Sequence, residues 1–399
     1  VYLNTSEPFC MAAVGVQGGG KSHTIGCVLE ACMLPFPSSK VVNLNKPMTT
    51  LVLHYDTNPQ AKVEATGLMS PNTMLEQMLR ANSKTGAPCE LNLKDVVVLV
   101  SPCYYKQRQQ YYGKGVTVKP LLFKWNRLTS DHIKRIMRLK EEDNQLYVSM
   151  MTQLLRSNQR NNSSMSLAEL LKQLQSECKL TTQAGPLAQR IQLLQSIVQE
   201  SSVNTSLART SSDLQDACKP GKLVIVDLTD PMLTSAEANS IFQILVEQFR
   251  TLGGHVTGKL LVLDEAHKYM QGVESDGLSQ SIVNIARLMR HDNMRLAVST
   301  QNPSTLAPEL LELISFAVLH RFHSHDWYHY LAAKLPLVQE DWERILELRP
   351  GQGLVFASRK SFMSEEEDKE GGSKSGGSRC MQVNIRARLT ADKGASMRN

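Results

Sequence analysis

Residues Gly15 to Thr24 read GVQGGGKSHT and follow directly on the apolar run FCMAAV. Gly15, Gly20, Lys21 and Ser22 satisfy the pattern G-x-x-x-x-G-K-[ST] at every position. Glycines let a loop curl until consecutive backbone N–H groups point inward at phosphate oxygens. A helix starting near Lys21 adds the positive end of its dipole. The expected phosphate cradle is Gly15, Gln17, Gly18, Gly19, Gly20, Lys21, Ser22 and His23. Within it Lys21 reaches the β and γ phosphates and the Ser22 hydroxyl holds Mg²⁺.

Two further strand ends carry compatible chemistry. GKLLVLDEAHKYM is an apolar run ending in Asp264 and Glu265. An acid at the tip of a strand neighbouring the loop can hold Mg²⁺ through water, and the next carboxylate can polarise an attacking water. A second acid favours hydrolysis over transfer to another substrate. RLAVSTQNP, Arg295 to Pro303, ends in Ser299, Thr300 and Gln301. Gln301 at such a tip, beside the phosphate loop, is expected to sense the terminal phosphate or orient water.

The elements that must position these residues are legible as short apolar runs. FCMAAVG, TLVLHYD and DVVVLVSP, then KLVIVDL, GKLLVLDEAH, RLAVSTQ and FAVLHRF, read as buried parallel strands, with helical patterns such as IGCVLEACML and SAEANSIFQILVEQFRTL between them. Residues 129–216 carry spacings of three and four with no strand candidate. They are expected to form an all-helical insertion between core segments 1–128 and 217–361, with SNQRNNSS as an exposed loop. Residues 362–380, including SEEEDKEGGSKSGGSR, should be a flexible loop, and 381–399 a terminal strand and tail.

Composition sets the outer limits. The chain has 399 residues, 42% hydrophobic and 21% charged, with a net charge of +6. That suits a soluble globular protein and permits a polyanionic partner without demanding one. No run is long enough for a membrane helix. None of the eight cysteines forms a CxxC pair, which fits buried thiols in a reducing intracellular compartment. Residue 1 is Val, which suggests a trimmed fragment.

Two other clusters have a bland and a sharp reading. His320, His323, His325 and His329 with Asp326 read as core and surface histidines rather than a metal centre. YYKQRQQYYGKG, Tyr104 to Gly115, interleaves aromatic and basic residues, which suits either an ordinary exposed loop or contact with a nucleic acid.

VGVQGGGKSHT, LLVLDEAHKYM, SIVNIARLMRHDNMRLAVSTQNPSTLAPELLELISFAVLHRF and PGQGLVFAS, in this order, resemble the HerA-FtsK superfamily of ring-forming DNA-pumping ATPases, most of all its HerA branch. The resemblance covers roughly two thirds of the chain and implies a RecA-like core with a mainly parallel sheet flanked by helices. It implies a homo-hexamer with ATP and Mg²⁺ at subunit interfaces, and translocation along DNA. It assigns Asp264 and Ser22 to the metal, Glu265 as catalytic base and Gln301 as sensor. The helix IARLMRHDN matches the one whose arginine enters the neighbour's site, with Arg290 first choice, Arg287 second and Arg321 third. HerA proteins also carry a small β-barrel before the loop that docks a nuclease; here about a dozen residues precede the loop, which puts that partnership in doubt. The same cradle also suits a scaffold protein whose assembly with protein partners is switched by nucleotide.

Overall fold

A computed structural model describes residues 3–34, 47–75, 77, 92–139, 146–160, 166–177, 181–199, 210–252, 258–271, 277–358 and 379–392. Ten strands form one sheet: β1 (Cys10–Val14), β2 (Thr49–His54), β3 (Val96–Val100), β4 (Thr117–Pro120), β5 (Leu223–Asp227), β6 (Lys259–Leu263), β7 (Met294–Thr300), β8 (Phe316–Leu319), β9 (Gln352–Ala357) and β10 (Cys380–Asn384). Their spatial order is β10-β9-β8-β1-β7-β6-β2-β5-β3-β4. The eight strands from β8 to β4 run parallel, and β9 and β10 close one edge antiparallel.

Strands covered on both faces read as unbroken apolar runs, and β1, β2, β3, β5, β6 and β7 are buried at every residue. Alternation within them divides the core in two. On β1, Cys10, Ala12 and Val14 join one apolar cluster, while Met11 and Ala13, with Phe9 just before the strand, join the other. The second cluster is covered by helix α1 (Lys21–Met33). Helix α2 (Tyr105–Tyr112) lies between β3 and β4.

Between β4 and β5 the described residues hold helices and no strand: α3 (Ser130–Ile136), α4 (Leu146–Arg160), α5 (Leu167–Glu177) and α6 (Thr181–Ile197). Isolated bridges Phe123↔Val198 and Leu121↔Ser212 dock this segment beside the sheet. Helix α4 runs to Arg160, so the first four residues of SNQRNNSS are helical rather than loop. Gln and Arg are good helix formers, and Ser157 Oγ bonds the Leu154 carbonyl inside the helix. Residues 362–378 of the expected flexible loop lie outside the described residues.

Helix α7 (Ser235–Arg250) opens on a capping box in which Thr234 and Glu237 satisfy each other's backbone N–H groups. Helix α8 (Gly277–Leu288) leads into β7. Burial pushes the Cys10 and Cys32 thiols up to about 12, whereas Cys103 is exposed. Among the described residues no helix is long and apolar enough to cross a membrane.

Candidate nucleotide site

The chain order of the strands creates the site. β1 is flanked by β8 and β7, both from the last third of the sequence. The chain leaves β1, builds outward from β2, and returns to fill the gap with β6 and β7. Open parallel sheets bind ligands at the carboxyl ends of strands where the order reverses. The tips of β1, β2, β6 and β7 meet there around a cleft of about 760 Å³. The acid strand β6, expected to neighbour the loop, is not adjacent to β1; β7 lies between them.

At the tip of β1, Gly18 and Gly20 hold φ of 75° and 108°, the left-handed region open to glycine. Gly20 then serves as the N-cap of α1, with no side-chain cap and no acidic residue in the first turn. The N–H groups of that turn have no intrahelical partner, which leaves donors and a positive dipole end for an anion. Gln17, Gly18, Gly20, Lys21, Ser22 and His23 all line the cleft. Lys21 is 3% exposed, and its Nζ donates to the Val16 carbonyl at 3.0 Å. Burial pulls its ammonium below the ordinary lysine range, against the charges of Glu265 and Asp264.

Gly15 and Gly19 pack against His320, which itself lines the cleft. A Cβ on Gly15 would lie 2.7 Å from His320 Cβ. Nδ1 of His320 stands 3.0 Å from the Gln352 carbonyl, which can only accept, so the proton is on Nδ1. Nε2 then accepts from Thr24 Oγ1 at 3.0 Å. Burial pulls His320 down to about 4, so it is neutral and supports the loop from below. His23 has a different environment: Nε2 meets the Arg386 carbonyl at 2.8 Å and Nδ1 meets Asp392 at 3.2 Å. Two acceptors favour the imidazolium, and hydrogen bonding to Cys27 is the largest influence raising His23 to about 9.

Asp264 sits just past β6 and is 7% exposed. His54 Nδ1, at the tip of β2, donates to Oδ2 at 3.1 Å, and Ser299 Oγ from β7 approaches Oδ1 at 3.4 Å. Burial alone would raise this carboxyl, but the His54 and Ser299 hydrogen bonds and the charges of His54 and Lys268 hold it below the usual range. Glu265 adopts φ 50° and ψ 47°, a left-handed conformation that costs a non-glycine residue roughly 1–3 kcal/mol. Its carbonyl accepts from Lys268 N at 2.9 Å, closing a short turn. Gln301 Nε2 donates to Glu265 Oε2 at 2.9 Å, and His267 Nδ1 lies 3.4 Å from the same oxygen.

Ser22 and Asp264 present a hydroxyl and an ionised carboxylate to the same cleft. These are hard oxygen donors, the kind Mg²⁺ takes alongside phosphate and water. The donor set therefore fits a magnesium nucleotide.

The arginines stand apart. Arg287 is on the exposed end of α8 and pairs with Glu309 at 3.0 Å. The helix ends at Leu288, so Arg290 lies on the turn after it, exposed, rather than on the helix. The Arg321 carbonyl accepts from Val16 N at 3.1 Å beside the loop, while its side chain is exposed. None of the three lines the cleft of its own chain.

Of the histidines read as core and surface residues, His320 is fully buried and His325 and His329 pack together, centroids 4.2 Å apart. Among the described residues no three His, Cys, Asp or Glu side chains gather as a metal-binding group. Tyr104 to Gly115 is mostly helix α2 rather than an exposed loop, and Arg108 at its centre is fully buried against Asp227. Motif reading also missed His54, Asp56, Lys62 and Lys268 in the cleft wall. Only the position of His54 and Asp56, at or just beyond the tip of β2, could have signalled them.

Fold and site define a mixed α/β fold of the RecA-like P-loop ATPase type, its mostly parallel sheet flanked by helices. VirB4 of Thermoanaerobacter pseudethanolicus is similar at 12% identity and TM-score 0.50, over 94% of this chain and 89% of that one. The bacterial conjugative coupling protein TrwBΔN70 aligns at 11% identity and TM-score 0.48, over 97% and 87%. The genome packaging NTPase B204 of Sulfolobus turreted icosahedral virus 2 aligns at 10% identity and TM-score 0.36, over 88% and 91%. At 12% identity the likeness to VirB4 is one of fold. No protein-family model and no curated protein sequence matches the chain.

Proposed function

We propose that the chain is an Mg²⁺-dependent ATP hydrolase that assembles as a ring, a hexamer by the HerA-FtsK resemblance, and moves along or remodels DNA. The observation that carries hydrolysis is the Gln301–Glu265 contact in the same cleft as Lys21, Ser22 and Asp264. Lys21 and the first-turn N–H groups of α1 hold the phosphates. Ser22 and Asp264 would hold Mg²⁺, which supplies charge neutralisation at the terminal phosphates. Glu265 takes the proton of the attacking water, and Gln301 fixes the carboxylate for that transfer. Arg290, remote from its own cleft, is suited to complete a neighbour's site, with Arg287 next in order. The DNA reading is supported by the resemblance, and the net charge of +6 permits it.

The test is ATP turnover by the full chain with and without duplex DNA. Wild type should hydrolyse ATP faster with DNA, and Glu265→Gln should bind ATP but not turn it over. Hydrolysis indifferent to DNA would remove the motor and leave a nucleotide-controlled assembly. Undiminished turnover by Glu265→Gln would move the base elsewhere.

A further inference from the structure

One wall of the cleft is a loop that no motif marks. It leaves the tip of β2, and Asp56, Asn58, Ala61 and Lys62 line the cleft along it. Helix α2 grips this loop by three consecutive carbonyls. Arg108 donates from Nη1 to Pro59 O at 2.9 Å and from Nη2 to Ala61 O at 3.3 Å, and Tyr111 OH donates to Gln60 O at 3.3 Å. Arg108 is fully buried; its Nε donates at 2.9 Å to Asp227 at the end of β5, which also accepts from Tyr112 OH at 2.6 Å. The guanidinium carbon lies 4.2 Å from the Tyr111 ring centroid.

A buried ion pair gives little net stability over well-packed apolar residues, so its presence is weak support for a purely stabilising role. Here its spare donors fix the path of the loop. At the other end Asp56 accepts the Lys268 ammonium at 2.5 Å, tying the loop to the turn after Glu265. The loop presents Lys62, which is exposed and makes no hydrogen bond or ion pair among the described residues. Lys21 and Lys268, in the same cleft, are both engaged.

We propose that Lys62 is a second cationic contact to the bound triphosphate, and that Arg108 is the positioning residue that holds it there. The inference rests on the nucleotide reading above. The Lys62 charge reaches Glu64 in the same cleft and works against the burial that raises its carboxyl. With no ion pair or hydrogen bond among the described residues, the ammonium is left to meet a bound polyanion directly. A loop already pinned at both ends loses little freedom on binding, which preserves the affinity that the contact gives.

The experiment is a double-mutant cycle on the full chain, with a fluorescent ATP analogue and inorganic tripolyphosphate as probes. Lys62→Ala should raise Kd for both by about tenfold, the loss of one charge-assisted contact. Arg108→Lys keeps the charge beside Asp227 but loses the fork over the carbonyls, and should weaken binding similarly. Lys62→Ala with Arg108→Lys should then be no worse than the weaker single variant, because both remove the same contact. Should Arg108→Lys fail to fold, Tyr111→Phe takes its place in the cycle. Wild-type affinity in Lys62→Ala would overturn the proposal, as would losses that simply multiply, since a merely structural Arg108 predicts independence. If wild type itself binds neither probe, the nucleotide reading falls and this inference with it. That outcome is distinct from normal wild-type binding and an indifferent Lys62→Ala.

Discussion

Gly15 and His320 are 305 positions apart in the chain, yet no side chain fits between them: a Cβ on Gly15 would stand 2.7 Å from His320 Cβ. The first glycine of the phosphate loop is thus required by packing against the end of β8. Gly15→Ala should destabilise the fold by about 1–3 kcal/mol, the usual cost of overpacking, and weaken ATP binding by shifting the loop. Because the clash is with Cβ, His320→Ala should not relieve it, whereas His320→Gly should relieve it in part. Urea unfolding of the three variants checks this, and a Gly15→Ala protein as stable as wild type would refute it.

The same histidine sets a pH dependence. Its folded value is about 4 against an ordinary 6.5, so the unfolded chain takes up the proton first as pH falls. Stability from neutral His320 is complete above pH 6.5 and is lost as pH falls toward 4, by about 3 kcal/mol in all. Asn at 320 keeps a donor for the Gln352 carbonyl but has no proton to gain. Unfolding midpoints between pH 7 and 4 should therefore fall more steeply for wild type than for His320→Asn. Parallel curves would mean that another group governs this range.

Gln301→Ala removes the 2.9 Å hydrogen bond to Glu265 while leaving Lys21, Ser22 and Asp264 in place. ATP should bind normally, and turnover should drop by about 10- to 100-fold, the range of one hydrogen bond to a charged group. Steady-state kinetics should show the loss in kcat with KM little changed. A rise in KM at constant kcat would make Gln301 a binding residue instead.

Arg290→Ala should bind ATP nearly as wild type does, because Arg290 is exposed and outside its own cleft. Its hydrolysis should fall on the order of 10³-fold if it acts across a subunit interface. Mixing it with Glu265→Gln protein provides the decisive comparison. A subunit with intact Glu265 regains an arginine from its Glu265→Gln neighbour, so mixed assemblies should recover part of the activity. No recovery in assemblies of confirmed mixed mass would pass the role to Arg287 or Arg321, tested the same way.

Local sequence determined much of the site. Glycine spacing fixed the cradle, and apolar runs ending in polar residues fixed where Asp264, Glu265 and Gln301 would emerge. Strand burial and strand tips are properties of contiguous residues, so both are readable before folding. The order of the strands is not such a property. Only the sheet inserts β7 between β1 and β6, which brings Gln301 within 2.9 Å of Glu265. Tertiary structure alone joins His54 to Asp264 and Asp56 to Lys268, each across more than two hundred residues. It also turns the expected loop at Tyr104 to Gly115 into a largely exposed helix with one buried residue, Arg108. Arg108 is buried because Asp227, 119 residues away, offers a carboxylate at the end of β5, and a charge enters a core only where a distant counter-charge waits for it.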